Sequence, residues 1–242
     1  MEVVRLYFGS VDGFIGPATP FHGYALMHEK GIVLVDTGFG ATLGGMGFSG
    51  VHTVGDQRFP WVRRSTVDAL LDHGIEPADV KYIINTHLGD HSADNDLFRH
   101  ATVIVQQPET EWVREKFEPD HPRRAWDFPG AKLELLSSED VEVLPGVTCL
   151  FTPGHTPGHQ SVLVDHGDTK DLFVGDAIYT LELWTNPELM REDHPTWHAQ
   201  EGAYPGWAES AAKLRSLGAD TYHFAHDRNV GHRHGPPTPQ RS

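Results

Sequence analysis

Four short segments of this chain hold residues whose types and spacing can do chemistry. They are Thr86-His87-Leu88-Gly89-Asp90-His91, Thr152-Pro153-Gly154-His155-Thr156-Pro157-Gly158-His159, Phe173-Val174-Gly175-Asp176 and Phe224-Ala225-His226-Asp227. Each puts histidine or aspartate where an apolar, strand-like run gives way to a loop. A strand end can hold such ligands rigidly while leaving a bound metal open to substrate. Imidazole and carboxylate suit zinc, iron, manganese or cobalt, so the chemistry indicated is metal-assisted. Each segment alone has a plainer reading. The first is a polar loop with a helix cap, the second a rigid turn with exposed histidines, and the last two are common strand ends. Within the second, His155 follows the strand directly and is the better ligand, while His159 reads as a supporting residue. The chain has 17 histidines against 19 lysines plus arginines, which favours the metal reading. His232 and His234 near the C-terminus could chelate metal without functional meaning.

The elements that must position these residues alternate along the chain. EVVRLYF, YALMHE, IVLVDTG, VKYIINT and ATVIVQ read as strands in the first half, and KLELL, VTCLF, QSVLVD, DLFVGD and DTYHFAH in the second. The apolar spacing over 61–73 predicts a helix stopped by Gly74, and a second is expected over 93–98. PETEWVREKF is expected as a helix opened by Pro108, and GWAESAAKLRSLG as one closed by Gly218. Residues 41–60 are rich in glycine without a clear period and read as a long loop. Residues 1–230 are expected to form a single α/β domain, and 231–242 a mobile tail.

Composition narrows the partners. The 242 residues carry a formal net charge of −15, which repels phosphate backbones and anionic lipid, so nucleic acid and membrane are not expected partners. The single cysteine, Cys149, sits in an apolar run and reads as a buried thiol. No secretory leader or membrane-length apolar run is seen, and a cytoplasmic protein is expected.

The order of the four segments resembles the metallo-β-lactamase superfamily, whose pattern is HxHxDH, a distant histidine in a PGHT turn, a bridging aspartate after a strand, and a last histidine. Val35-Asp36-Thr37-Gly38 is similar to that family's DTG turn, in which the aspartate is structural. The resemblance runs from about Phe21 to Asp227 and implies an αββα four-layer sandwich with the site at strand ends. Asp176-Ala177-Ile178-Tyr179-Thr180, Val103-Ile104-Val105-Gln106 with the Glu-rich helix after it, and the His226-Asp227 pair resemble the quorum-quenching N-acyl-homoserine lactone lactonases within it.

The chain departs from the pattern at one place. From His87 the pattern needs histidine at plus two, aspartate at plus four and histidine at plus five. Here Gly89 stands at plus two, Asp90 at plus three and His91 at plus four, so one residue, the second histidine, is missing. His87 and His155 remain for the first metal position, and Asp90, His91 and His226 for the second, with Asp176 able to bridge. The protein therefore holds one metal or two, or has another histidine (His22, His52 or His121) in the missing place. An artificial deletion would also explain the short loop.

The resemblance implies a metal-dependent hydrolase in which metal-bound hydroxide opens a lactone or similar ester. Zinc is the leading expectation. Asp90 would hold metal and pass a proton to the leaving alkoxide, and Tyr179 would stabilise the oxyanion. The substrate expected is a small molecule with an acyl or apolar portion. Met46, Phe48, Trp61, Trp184, Trp197 and Trp207 are candidates to line its pocket, though aromatic residues are more often core. A homodimer is left open. Two alternatives stand beside this: a mononuclear enzyme of the same fold acting on thioesters or in iron-dependent oxygen chemistry, and a binding protein with an impaired metal site.

Overall fold

The computed structural model describes residues 1–12, 18–38, 49–54, 57–89, 91–190, 205–228 and 232–233. The chain divides into two compact units, Met1–Ser137 and Ser138–Ser242, and each is built on one mixed sheet with helices.

In the N-terminal unit the strands are β1 (Glu2–Val11), β2 (Thr19–His28), β3 (Gly31–Val35), β4 (Ser49–Val54), β5 (Gln57–Arg63), β6 (Val80–Ile84), β7 (Thr102–Gln106) and β8 (Lys132–Leu136), and the helices α1 (Thr66–Leu71) and α2 (Gln107–Lys116). The sheet order is β4-β5-β1-β2-β3-β6-β7-β8. Pairing is antiparallel from β4 to β3 and parallel from β3 to β8. Parallel neighbours need crossovers, and α1 and α2 lie in two of these. The runs IVLV and VIV of β3 and β7 are buried, as expected for parallel strands covered on both faces. Leu6, Phe8, Ala25, Leu34, Ile83, Val103 and Trp126 belong to one core.

The C-terminal unit holds β9 (Val141–Leu144), β10 (Val147–Phe151), β11 (Gln160–Asp165), β12 (Lys170–Gly175), β13 (Thr221–Phe224) and β14 (His232–Arg233), with α3 (Leu181–Thr185) and α4 (Trp207–Ser216). Its order is β14-β13-β12-β11-β10-β9. Only β12 and β13 are parallel, and α3 and α4 lie between them in the chain. Val147, Cys149, Val162, Leu172, Phe173 and Leu214 are buried, and Cys149 is a buried thiol outside any disulfide.

Several elements differ from the sequence reading. Residues 49–63 are not loop but the β4–β5 hairpin, in which His52 pairs with Phe59 and Gly50 with Trp61. The β-branched and aromatic residues there outweigh the flanking glycines. The helix expected from Trp61 starts only at Thr66, because Ser65 caps it by accepting from the Asp68 N–H. The helix expected over 93–98 is a 3-10 turn, Asn95–Phe98. Strand β9 and helix α3 had too short a pattern to be read. In the expected tail, His232 and Arg233 pair with Tyr222 and Thr221, and residues 231 and 234–242 lie outside the described residues.

A buried charge ties α1 to the sheet. Arg63 Nη2 lies 3.2 Å from Asp94 Oδ1. Asp94 Oδ2 accepts from the Thr66 N–H at 3.1 Å and its hydroxyl at 2.9 Å. Removing one partner of a buried pair strands the other. Asp94→Ala is therefore expected to cost about 3–5 kcal/mol, read as a lowered urea midpoint. A loss near zero would show that the pair contributes no stability.

Candidate metal centre

In the N-terminal unit, β6 ends at Ile84 and the chain passes through a buried turn carrying Asn85, Thr86, His87 and Leu88. A buried turn must have its polar backbone satisfied. Asp36 does this from the end of β3. Its Oδ1 accepts from the Thr86 N–H at 2.8 Å and its Oδ2 from the Thr86 hydroxyl at 2.9 Å. To reach there Asp36 adopts φ 64°, a conformation aspartate tolerates better than most residues but still at a cost. The Thr37 and Gly38 N–H groups both donate to the His91 carbonyl, at 2.7 and 3.1 Å. The DTG turn thus grips both ends of the histidine loop.

Two further anchors support this loop. The Leu88 N–H donates to Oε1 of Glu109 at 2.9 Å, and Glu109 is fully buried on α2. Asn95 accepts from the Thr37 hydroxyl at 2.7 Å and donates to Asn85 Oδ1 at 2.7 Å. His87 and His91 end with ring centroids 5.1 Å apart, and Phe21 packs 5.1 Å from His91. Asp90 lies outside the described residues.

The C-terminal unit presents three ligand-type side chains together. His155 Nε2 stands 3.5 Å from Asp176 Oδ2. His226 Nε2 stands 3.1 Å from Asp176 Oδ1. Asp176 and His226 are buried, at 4% and 3% exposure. The Tyr179 hydroxyl lies 3.2 Å from His155 Nδ1, and its ring meets that of His226 edge-on at 5.1 Å.

Local structure explains why these side chains meet. His159 Nε2 accepts the Asp176 N–H at 3.0 Å. That ring nitrogen is therefore unprotonated, and Nδ1–H faces the Thr152 carbonyl at 3.1 Å and hydroxyl at 2.9 Å. His159 joins the PGHT turn to the end of β12, the supporting place the sequence reading gave it. The Thr180 hydroxyl caps α3 at the Leu183 N–H, and Asp227 Oδ2 accepts from the Leu181 N–H at 2.9 Å. Tyr179 is pinned from both sides, since its carbonyl also accepts from the His226 N–H at 3.2 Å.

The other candidates fall elsewhere. His22 is buried beside Tyr7, with rings 5.7 Å apart. His121 stacks on Phe117 at 4.4 Å, and its Nδ1 accepts from the Arg123 N–H. Among the described residues neither joins a group of three metal donors. The side chains of His52 and Trp61, and all of Met46, Phe48 and Trp197, lie outside the described residues. Trp184 packs on Tyr222 and Phe224. Trp207 donates to the Ala177 carbonyl at 2.7 Å, so these two candidate tryptophans both have packing roles. The sequence reading missed Glu109. A glutamate on the inward face of a helix beside the apolar Val113 was the available signal.

Residues 19–226 match the model of the metallo-β-lactamase superfamily. The chain belongs to the metallo-β-lactamase superfamily. Its α/β fold is that of the superfamily, as the resemblance implied, and the two mixed sheets with their helices are consistent with it. The chain is 36% identical over 185 residues to the N-acyl homoserine lactonase AttM of Rhizobium radiobacter, a match covering 70% of this chain and 64% of AttM. It thus spans less than two thirds of that relative's length. It is 34% identical to an N-acyl homoserine lactonase of Bacillus sp. over 206 residues, covering 77% and 80% of the two chains. A solved N-acyl homoserine lactone hydrolase, with N-hexanoyl-L-homoserine at its catalytic metal centre, is similar at a TM-score of 0.67 and 28% identity, covering 93% of each chain.

The PGHT turn makes a sharp prediction. Gly154 has φ 145°, and a Cβ there would fall 2.4 Å from Trp207 Cβ. Gly167 has φ 95° with nothing within 4 Å. Both Gly→Ala changes strain the backbone, but only Gly154→Ala also overpacks. It is expected to lose about 1–3 kcal/mol more than Gly167→Ala in paired thermal melts. Equal losses would mean that the Trp207 contact yields freely.

Proposed function

We propose that this protein is a metal-dependent hydrolase that opens the ring ester of N-acyl-homoserine lactones, and that the two units act as one catalytic domain. The observation that carries this reading is Asp176, a buried carboxylate flanked by His155 and His226, with the Tyr179 hydroxyl on the far nitrogen of His155. The donor set fits a metal ion, since buried imidazoles and a carboxylate suit zinc first, and iron, manganese or cobalt as well. His91, His226, Asp176 and Asp90 would hold it, with His87 and His155 as the depleted partner set. One metal per chain follows from the missing histidine. Such an ion, when bound, acidifies water and polarises a carbonyl.

The chain's own groups supply the rest. In the tautomer that carries its proton on Nδ1, His155 would donate to the Tyr179 oxygen, 3.2 Å away. The Tyr179 O–H would then point its proton to the oxygen of the carbonyl under attack. Water oxygen joins the carbonyl carbon, the ring C–O bond breaks, and Asp90 delivers a proton to the leaving alkoxide. The products are an acid and a free hydroxyl. The relatives named above act on small molecules bearing an acyl chain, and that is the substrate class proposed here. The net charge of −15 disfavours nucleic acid as an alternative substrate. No described helix is long and apolar enough to cross a membrane.

Acid release from N-hexanoyl-L-homoserine lactone, an acyl thioester and a phosphodiester tests this directly. Zinc-loaded protein is expected to turn over the lactone, to lose activity on chelation and to regain it on zinc addition. Hydrolysis of the thioester without the lactone would replace this reading with the mononuclear thioesterase one. Tyr179→Phe is expected to lower kcat by about 100-fold with little change in KM. An unchanged kcat would remove Tyr179 from the mechanism.

A further inference from the structure

The position of the missing histidine is closely packed, and its neighbours are defined. Gly89 stands two residues after His87, where the family pattern has its second histidine. A Cβ built on Gly89 would lie 3.2 Å from His87 Cδ2, 3.3 Å from His87 Nε2 and 3.8 Å from Arg123 Cζ. The His87 imidazole and the Arg123 guanidinium thus both stand against Gly89, within the N-terminal unit.

Arg123 is held there by the segment around it. Its carbonyl accepts from the indole N–H of the fully buried Trp126 at 2.9 Å. Its guanidinium lies over the Phe117 ring at 5.2 Å. Two neighbouring arginines have a carboxylate partner. Arg114 donates to Asp127 through Nε and Nη2, at 3.2 and 2.9 Å, and Arg124 pairs with the same carboxylate. The hydrogen bond from Arg114, against the cost of burial and with help from Arg124, holds the Asp127 carboxyl below the usual carboxylate range. Asp127 is thus committed to two cations. Among the described residues Arg123 has an aromatic ring and no carboxylate.

We propose that Arg123 is the anion-binding residue of the site, standing where the second histidine is absent and receiving the carboxylate that ring opening creates. A planar guanidinium matches the two oxygens of a carboxylate. It cannot serve as a metal ligand, because it has no lone pair to offer. The exchange of histidine for a nearby arginine therefore turns a metal-ligating position into a receptor for the acid group. It also opposes a second metal ion by like charge. Arg123 would in this way set which acids the site holds.

This inference rests on the hydrolase reading, and its test separates the two. Zinc-loaded wild type, Arg123→Gln and Arg123→Lys are titrated calorimetrically with N-hexanoyl-L-homoserine, the opened acid, and metal per chain is measured on each. Arg123→Gln is expected to weaken acid binding about 10-fold or more, the scale of one charge-assisted contact. Arg123→Lys is expected to recover part of it, with metal content unchanged in both. Wild-type affinity in Arg123→Gln would overturn the proposal. So would a loss of metal in that variant, which would make Arg123 a support of the ligand loop, or wild type that binds no acid at all. Wild type that binds the acid but hydrolyses no lactone would refute the proposed activity and leave the role of Arg123 standing.

Discussion

One hydrogen bond, from the Asp176 N–H to Nε2 of His159, decides where the central carboxylate of the site stands. It joins the PGHT turn to the first residue after β12. Everything arranged around Asp176 then follows from how each segment leaves its strand. His155 leaves β10 through a turn whose glycine lies against Trp207. His226 leaves β13, a parallel neighbour of β12, so the two strands deliver their ends side by side. A buried carboxylate beside two imidazoles is costly to hold without a counter-charge. A cation is the natural occupant of such a place, and the polar anchoring beneath it keeps the donors in position when they are desolvated.

The N-terminal unit solves the same problem with different residues. Asp36 accepts a strained backbone so that both its oxygens reach Thr86. Glu109 reaches up from α2 to the next N–H but one. A loop fixed by two buried carboxylates has little freedom to relax when it is shortened. At the shortened place Gly89 is closely packed, with the His87 ring and the Arg123 guanidinium against it. With Arg123 beside it, the position is proposed to offer a cation where the family pattern has a metal donor.

Much of this was legible in the sequence because chemistry-bearing residues sat where hydrophobic periodicity ended. Val35-Asp36, Phe151-Thr152 and Gly175-Asp176 each mark a strand end, Thr86-His87 follows one two residues on, and the order of the four segments identified the superfamily. The supporting role of His159 could be read from its distance from the strand. What could not be read was long-range. The carboxylate of Glu109 meets Leu88 21 residues away, and Arg123 borders Gly89 from a 3-10 turn. Neither leaves a local periodicity. The β4–β5 hairpin was missed for the opposite reason, since the glycines around it suggested a loop while the pairing partners were the strands themselves. The helix α3, five residues long, is specified by its caps, Thr180 and Asp227, and not by an amphipathic stripe.

Elemental analysis of metal per chain, on protein purified without a histidine tag or added metal and then titrated with zinc, probes the centre most directly. One ion per chain is expected, held by the Asp90, His91, Asp176 and His226 set, with no second ion taken up at moderate zinc concentration. Two tightly held ions would contradict the reading of the shortened loop and mean that another residue completes the first position. No ion, before or after titration, would contradict the hydrolase itself.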